Sequence, residues 1–214
     1  MALPFAVLIS GRGSNLLALE RATRDGGIDG RITAVISDRS DAAGLESAHG
    51  LGLSTHVVAP GHGESRESHG QRLAEAVGAS GAALVALAGY MRLLDGNFVR
   101  AWQGRLLNIH PALLPAYRGL HTHRRVLEAG DSRHGCTVHF VIEELDAGPA
   151  VIQGRLAVRP GEDQASLSAR VQRLEHIVYP RAVGWFAAGR LECRDGAAWI
   201  DGGPAGPVMV EEET

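Results

Sequence analysis

Apolar residues come in short continuous blocks along the first half of the chain, and the stretches between them carry a helical spacing. Residues 5–10 (FAVLIS) form the first block, which breaks at Gly11. Leu16, Leu17, Leu19 and Ala22 then recur at helical spacing before a DGG break. Residues 31–37 (RITAVIS), 54–60 (STHVVAP), 82–89 (AALVALAG) and 105–111 (RLLNIHP) repeat the apolar block. Helices are predicted between them, over AAGLESAHGLG and over 64–79, where Leu73, Ala76 and Val77 face a core. Short apolar strands alternating with helices predict βαβ units and a mostly parallel sheet covered on both faces.

The pattern changes after residue 135. CTVHFVIEE (136–144) alternates, with Val138, Phe140 and Ile142 on one face, and AVIQGRLAVRP (150–160) does much the same. Alternation predicts longer, half-exposed strands pairing antiparallel near the C-terminal edge. Residues 163–189 read as one long amphipathic helix, bent near Pro180, and RLECRDGAAWID as a closing hairpin. With no internal repeat and no linker, a single domain is expected over residues 1–201. Residues 202–214 (GGPAGPVMVEEET) read as a flexible acidic tail.

Composition narrows the function classes. Hydrophobic residues make up 45% and charged residues 21% of 214, an ordinary globular balance. A net charge of -3 gives no bulk attraction to nucleic acid or to a membrane surface, so neither partner is expected. All 21 basic residues are arginine, so no lysine can form a Schiff base or hold a P-loop phosphate. Cys136 and Cys193 alone make neither a disulfide framework nor a metal knuckle. Together with a start that has no signal-peptide pattern, they point to a reducing cytoplasm.

Three segments could carry chemistry. In SGRGSN (10–15) a strand ends, two glycines allow a tight turn and a helix begins near Ser14. Free backbone N–H groups and the helix dipole then converge, which suits a phosphate; the same residues would equally make a plain βα turn. Position 16 is Leu16, so this is no dinucleotide fingerprint. In NIHPALLPAYRG, Asn108 and His110 sit two apart at a strand's end and face the same way. An amide that donates and an imidazole that titrates near neutrality suit acyl transfer. The alternative is a structural cap and turn. In EELDAGP, Asp146 stands at a loop bend, where aspartate commonly forms a turn. Folded over the cleft, its carboxylate would instead meet His110 and fix its tautomer. HTH (121–123) lacks a companion ligand set, and no metal is expected.

Taken together, VLISGRGSNLLAL, ALAGYMRLL, NIHPALLPAYRGLHTH and HGCTVHFVIEELDAGPAVIQ resemble the phosphoribosylglycinamide formyltransferases. The resemblance runs in order from about residue 5 to residue 200, without large gaps. It implies a Rossmann-like formyltransferase fold of the α/β class. It also implies formyl transfer from 10-formyltetrahydrofolate to the amine of glycinamide ribonucleotide (GAR), by a monomer or homodimer in the cytoplasm. Asn108, His110 and Asp146 match the family's catalytic triad, and Gly13, Ser14 and Asn15 its phosphate-binding segment. Gln172 and Glu175, in VQRLEH, match a segment that holds the nucleotide. Arg66 matches a folate-contacting arginine. Met91, Arg92, Leu93 and Leu94, with Ile142, Glu143, Glu144, Leu145 and Asp146, match the walls of the folate pocket, which Asn108 also lines. Arg12 and Ala112 depart from residues frequent in relatives, and neither is a proposed catalytic group.

Two other formyl chemistries share the Asn-His-Asp set: hydrolysis of 10-formyltetrahydrofolate, and formylation of aminoacyl-tRNA. The extra N-terminal domain usual in the first and the extra C-terminal domain of the second are not expected here. A non-catalytic nucleotide- or folate-binding module is the remaining alternative.

Overall fold

The computed structural model describes residues 2–212. Strands β1 (Leu3–Ile9), β2 (Gly30–Ser37), β3 (Thr55–Val57), β4 (Leu84–Leu87), β5 (Leu106–His110), β6 (Arg133–Phe140) and β7 (Ala150–Ala157) form one sheet with a late strand, β11 (Val208–Glu211). Its order is β11-β7-β6-β5-β4-β1-β2-β3. The pairs from β3 through β5 are parallel. β6 runs against both β5 and β7, and β11 runs parallel to β7. β6 is therefore the one strand of the eight that points the other way.

Six helices cover the sheet: α1 (Ser14–Arg24), α2 (Ala43–Gly50), α3 (Arg66–Ala79), α4 (Gly96–Ala101), α5 (Thr122–Ala129) and α6 (Gln164–Ala187). The apolar block of β1 shows why both faces must be covered. Phe5, Val7 and Ile9 point into a core with Leu16 and Leu19 of α1 and Leu167, Val171 and Val178 of α6. Ala6 and Leu8 point the other way, toward Leu73 and Val77 of α3 and Phe98 of α4. All five β1 residues are fully buried, as expected for an interior strand of an α/β sheet.

Helices α4 and α5 are not marked by apolar spacing. α4 spans only six residues, too few to show a period, and is started by Asp95, whose carboxylate accepts from Asn97 N at 2.7 Å. α5 buries only Thr122 and Val126, one turn apart. α6 runs unbroken through Pro180. No helix among the described residues is long and apolar enough to cross a membrane.

Two expectations about the C-terminal part need correction. β6 and β7 are not half-exposed. Seven of the eight β6 residues are buried, because α6 packs on one face and the polar residues of the other face grip loops. Thr137 Oγ1 donates to Ala112 O at 2.6 Å and accepts from Leu114 N at 3.0 Å. Gln153 Nε2 donates to Leu114 O at 2.8 Å. The segment after residue 201 also does not fray. The hairpin β8 (Leu191–Arg194) and β9 (Ala197–Ile200) is extended by β10 (Gly203–Pro204) into a three-stranded sheet, and β11 then closes the main sheet's edge. Glu211 pairs with Arg155, and Glu212 with Arg170. Residues 213 and 214 of the expected tail lie outside the described residues.

The chain builds β1 to β3 outward on one side and then returns to place β4 on the other side of β1. Such a switch leaves a crevice at the carboxyl ends of the strands, where ligands bind in open α/β sheets. The loops after β1, β4 and β5 all emerge there.

Candidate active site

The loop after β1 is shaped by two glycines in contact. Gly13 has φ +75°, and a Cβ there would lie 2.9 Å from Gly44 Cα. Gly44 N, at the start of α2, donates to Gly11 O at 3.0 Å. The turn is thus pinned to α2, and α1 opens at Ser14 with no acidic side chain in its first turn. Its early N–H groups and dipole favour an anion.

α6 supplies the other wall. Gln172 Nε2 donates to Ser14 Oγ at 3.0 Å, and Asn15 Nδ2 donates to Glu175 Oε2 at 2.8 Å. The sequence-derived nucleotide residues, about 160 positions apart, are therefore adjacent. Burial pushes the Glu175 carboxyl up to about 7, with the Asn15 hydrogen bond opposing the shift. Asn15 Oδ1 is buried and has no partner among the described residues.

Asn108 and His110 project from the end of β5, and Asp146 reaches them from the loop after β6. That loop doubles back tightly: Phe140 N donates to Pro149 O at 3.0 Å, and a Cβ on Gly148 would fall 1.8 Å from Phe140 O. Only glycine fits, so the DAG turn carries Asp146 over the cleft. Asp146 has φ +49°, a left-handed conformation that aspartate tolerates better than most residues. Its Oδ2 accepts from Gly119 N at 2.9 Å and lies 3.4 Å from His110 Nδ1. The far side of the His110 ring, Nε2, is 2.9 Å from Tyr117 O. Both ring nitrogens thus face acceptors, one of them a carboxylate.

A cleft of about 540 Å³ opens beside these groups. Met91, Arg92, Leu93 and Leu94 line one wall, and Ile142, Glu143 and Leu145 the other. Met91, Leu93 and Leu145 are each at least half exposed, a concentration of uncovered apolar surface that marks a ligand site. The 91–94 wall is tied to the β1 loop through Ser10, whose hydroxyl accepts from Met91 N at 2.8 Å and donates to Asp38 Oδ1 at 2.6 Å. Asp38 Oδ2 in turn faces Arg92 Nε at 3.7 Å. Glu144 does not line the cleft; it pairs with Arg118 at 2.6 Å, as Glu143 pairs with Arg100. Arg66 lies exposed at the start of α3 and is not among the residues lining the cleft.

Ser10, Asp38 and His139 take no individual role from the sequence alone. His139 is 1% exposed and stands between Asn108 and Asp146. The signal for it lay in CTVHF, where Thr137 and His139 share the polar face of β6. Of the HTH histidines, His123 Nδ1 sits 2.9 Å from His134 Nε2. Burial, then the neighbouring His123 and His110, pushes His134 down to about 4.

An α/β sheet thus carries, at the carboxyl ends of its strands, a helix N-terminus without acidic side chains and a cleft lined by an amide, an imidazole and a carboxylate. The formyl transferase family matches residues 3–183, and the chain belongs to that family. Within it, the phosphoribosylglycinamide formyltransferase of Escherichia coli (strain K12) is 47% identical over 196 residues, covering 92% of each chain. The phosphoribosylglycinamide formyltransferase structure from Coxiella burnetii superposes with a TM-score of 0.93 at 42% identity, covering 98% of this chain and 100% of that one. A formyltetrahydrofolate deformylase from Pseudomonas putida KT2440 has the same fold, with a TM-score of 0.84 at 25% identity, covering 94% of this chain and 70% of that one.

Proposed function

We propose that the chain transfers the formyl group of 10-formyltetrahydrofolate to the primary amine of GAR, giving formyl-GAR and tetrahydrofolate. The observation that carries this reading is the meeting of Asn108, His110 and Asp146 at one cleft, beside an anion-type helix N-terminus walled by Gln172 and Glu175.

In this scheme the N–H groups of α1, with Ser14 and Asn15, take the GAR phosphate. Gln172 and Glu175 bind its ribose hydroxyls. The folate ring system enters between the 91–94 and 142–146 walls, and Arg66 meets the part of the folate that extends beyond the cleft. The GAR amine attacks the formyl carbon, and the carbonyl electron pair moves onto oxygen. Asn108 donates an N–H to that oxyanion, and a protonated His110 ring beside it adds positive charge that stabilises it, as such groups do in acyl transfer. Asp146 stabilises the imidazolium. A proton then passes from the attached amine to the folate N10, the carbon–N10 bond breaks and the carbonyl re-forms. No covalent enzyme intermediate forms, and the reaction is proposed to proceed without added metal.

The test is a coupled absorbance assay of folate release with and without GAR, in buffer containing a chelator. Turnover only when GAR is present is the expected result. Equal turnover without GAR would make the chain a 10-formyltetrahydrofolate hydrolase instead.

A further inference from the structure

We propose that His139 is a positioning residue: as a neutral ring protonated on Nδ1, it holds the Asn108 amide in the orientation that serves the oxyanion. This deepens the formyl-transfer reading and rests on it for the kinetic part of the test.

His139 lies directly opposite Asn108 in the antiparallel register of β5 and β6. Its Nδ1 is 2.9 Å from Phe140 O. A carbonyl oxygen can only accept, so Nδ1 carries the proton. In the neutral ring Nε2 is then an acceptor, and Asn108 Nδ2 stands 3.1 Å from it. One amide N–H is thereby committed to His139, and the amide cannot turn over without placing two acceptors, Oδ1 and Nε2, face to face. The remaining N–H and Oδ1 of Asn108 keep fixed directions.

The same arrangement settles how Asp146 is shared. Its Oδ1 lies 3.7 Å from His139 Nε2, and its Oδ2 lies 3.4 Å from His110 Nδ1. A His139 that kept a proton on Nε2 would compete for that carboxylate. With Nε2 accepting from Asn108, the carboxylate is left to His110. The charged and titratable groups facing His139 are Asp146 and His110. Burial pushes the His139 ring down to about 4, against the Phe140 carbonyl and Asp146, which favour its charged form. At neutral pH the His139 ring is therefore uncharged.

Two readouts test this on the full chain. The first is 15N NMR of histidine-labelled protein, with His139 assigned by its loss in His139→Gln. It should show a bare Nε2 and a protonated Nδ1 from pH 6 to 8. A protonated Nε2 anywhere in that range overturns the proposal, whatever the enzyme's substrate proves to be. The second is a double-mutant cycle with GAR and 10-formyltetrahydrofolate. His139→Leu should lower kcat roughly 10- to 100-fold, a part of what losing an oxyanion donor costs, with KM for both substrates little changed. His139→Gln, which offers an amide oxygen near the Nε2 position, should recover most of that loss. Asn108→Ala combined with His139→Leu should be no slower than Asn108→Ala alone. Additive losses overturn the proposal. If His139→Leu does not fold, the Gln variant and the NMR tautomer decide. Absence of any GAR-dependent turnover in the unmodified enzyme would sink the formyl-transfer reading, and the tautomer would still be decided.

Discussion

Asn15 donates its side-chain amide to Glu175 at 2.8 Å, joining the first helix to the last across 160 positions of sequence. This bond is the only hydrogen bond given to the Glu175 carboxylate by the described residues, and the group is buried. Burial is what lifts the carboxyl to about 7. The folded chain therefore holds a proton on Glu175 between about pH 4.5 and 7 that the unfolded chain has released. The folded state binds more protons in that window, so this group's contribution to stability falls as pH rises through it. Glu175→Gln keeps a neutral side chain at every pH. Relative to the unmodified chain it should gain stability between pH 5 and 8, by about 3 kcal/mol at most, read from urea unfolding at the two pH values. A difference that stays flat across that range would show that burial does not govern this carboxyl. The same variant should raise KM for GAR.

The contact of Gly13 with Gly44 gives a second prediction. A methyl group at position 13 meets backbone, Gly44 Cα at 2.9 Å, while φ is +75°. Neither can be relieved by turning a side chain. Gly13→Ala should destabilise the fold by about 1–3 kcal/mol and raise KM for GAR at least tenfold more than KM for the folate. Melting curves and steady-state kinetics on one preparation check both parts. Equal changes in the two KM values would detach this loop from the phosphate.

The His110–Asp146 pair separates charge from geometry. Asp146 Oδ2 is both the partner of the imidazole and the acceptor for Gly119 N. Asp146→Asn keeps an acceptor for Gly119 and removes the charge. His110→Ala and Asp146→Ala should each lower kcat by about 10²–10⁴, the range for lost acid–base groups. Asp146→Asn should fall near the low end of the Ala variants' activity, with its melting temperature unchanged. Near-full activity at pH 7 would mean that the carboxylate's charge is not used.

Much of this site was legible in the sequence because it sits where strands end. The apolar blocks of β1, β4 and β5 stop at Ser10-Gly11, Ala88-Gly89 and His110-Pro111, and ligands gather at such ends in a parallel sheet. What stayed hidden depends on partners far along the chain. Thr137, His139 and Gln153 looked like the solvent face of alternating strands; they are polar because they grip the loop after β5 and the Asn108 amide. No local pattern distinguishes those two reasons for a polar residue. Asp38 carries no signal either, since its partners Ser10 and Arg92 come from other strands' loops. The resemblance supplied Asp146, but only the fold shows that Gly148 is what brings it to His110.

The C-terminal strand was misread for the same reason, and it yields the last prediction. Arg170 is 4% exposed and lies between Glu162, at 2.8 Å, and Glu212. Glu212 is held below the usual carboxylate range chiefly by the Arg170 hydrogen bond, against its own burial. Burial of Glu162 works upward, but the Arg159 N–H and Arg170 outweigh it and its carboxyl also stays low. Carboxylates with depressed folded values stabilise the chain above the unfolded value and lose that contribution as pH falls through the folded one. The strap formed by β11 should therefore release in acid before the central sheet melts, seen as early hydrogen exchange of the Val208–Glu211 amides below about pH 4. Arg170→Met strands the buried Glu162 charge and should cost about 3 kcal/mol or more at pH 7. Glu212→Gln should cost less and should flatten the acid dependence. If the β11 amides kept the same protection factors, with intrinsic rates corrected for pH, at pH 7 and pH 3.5, the Arg170 cluster would not be what holds the strand to the sheet.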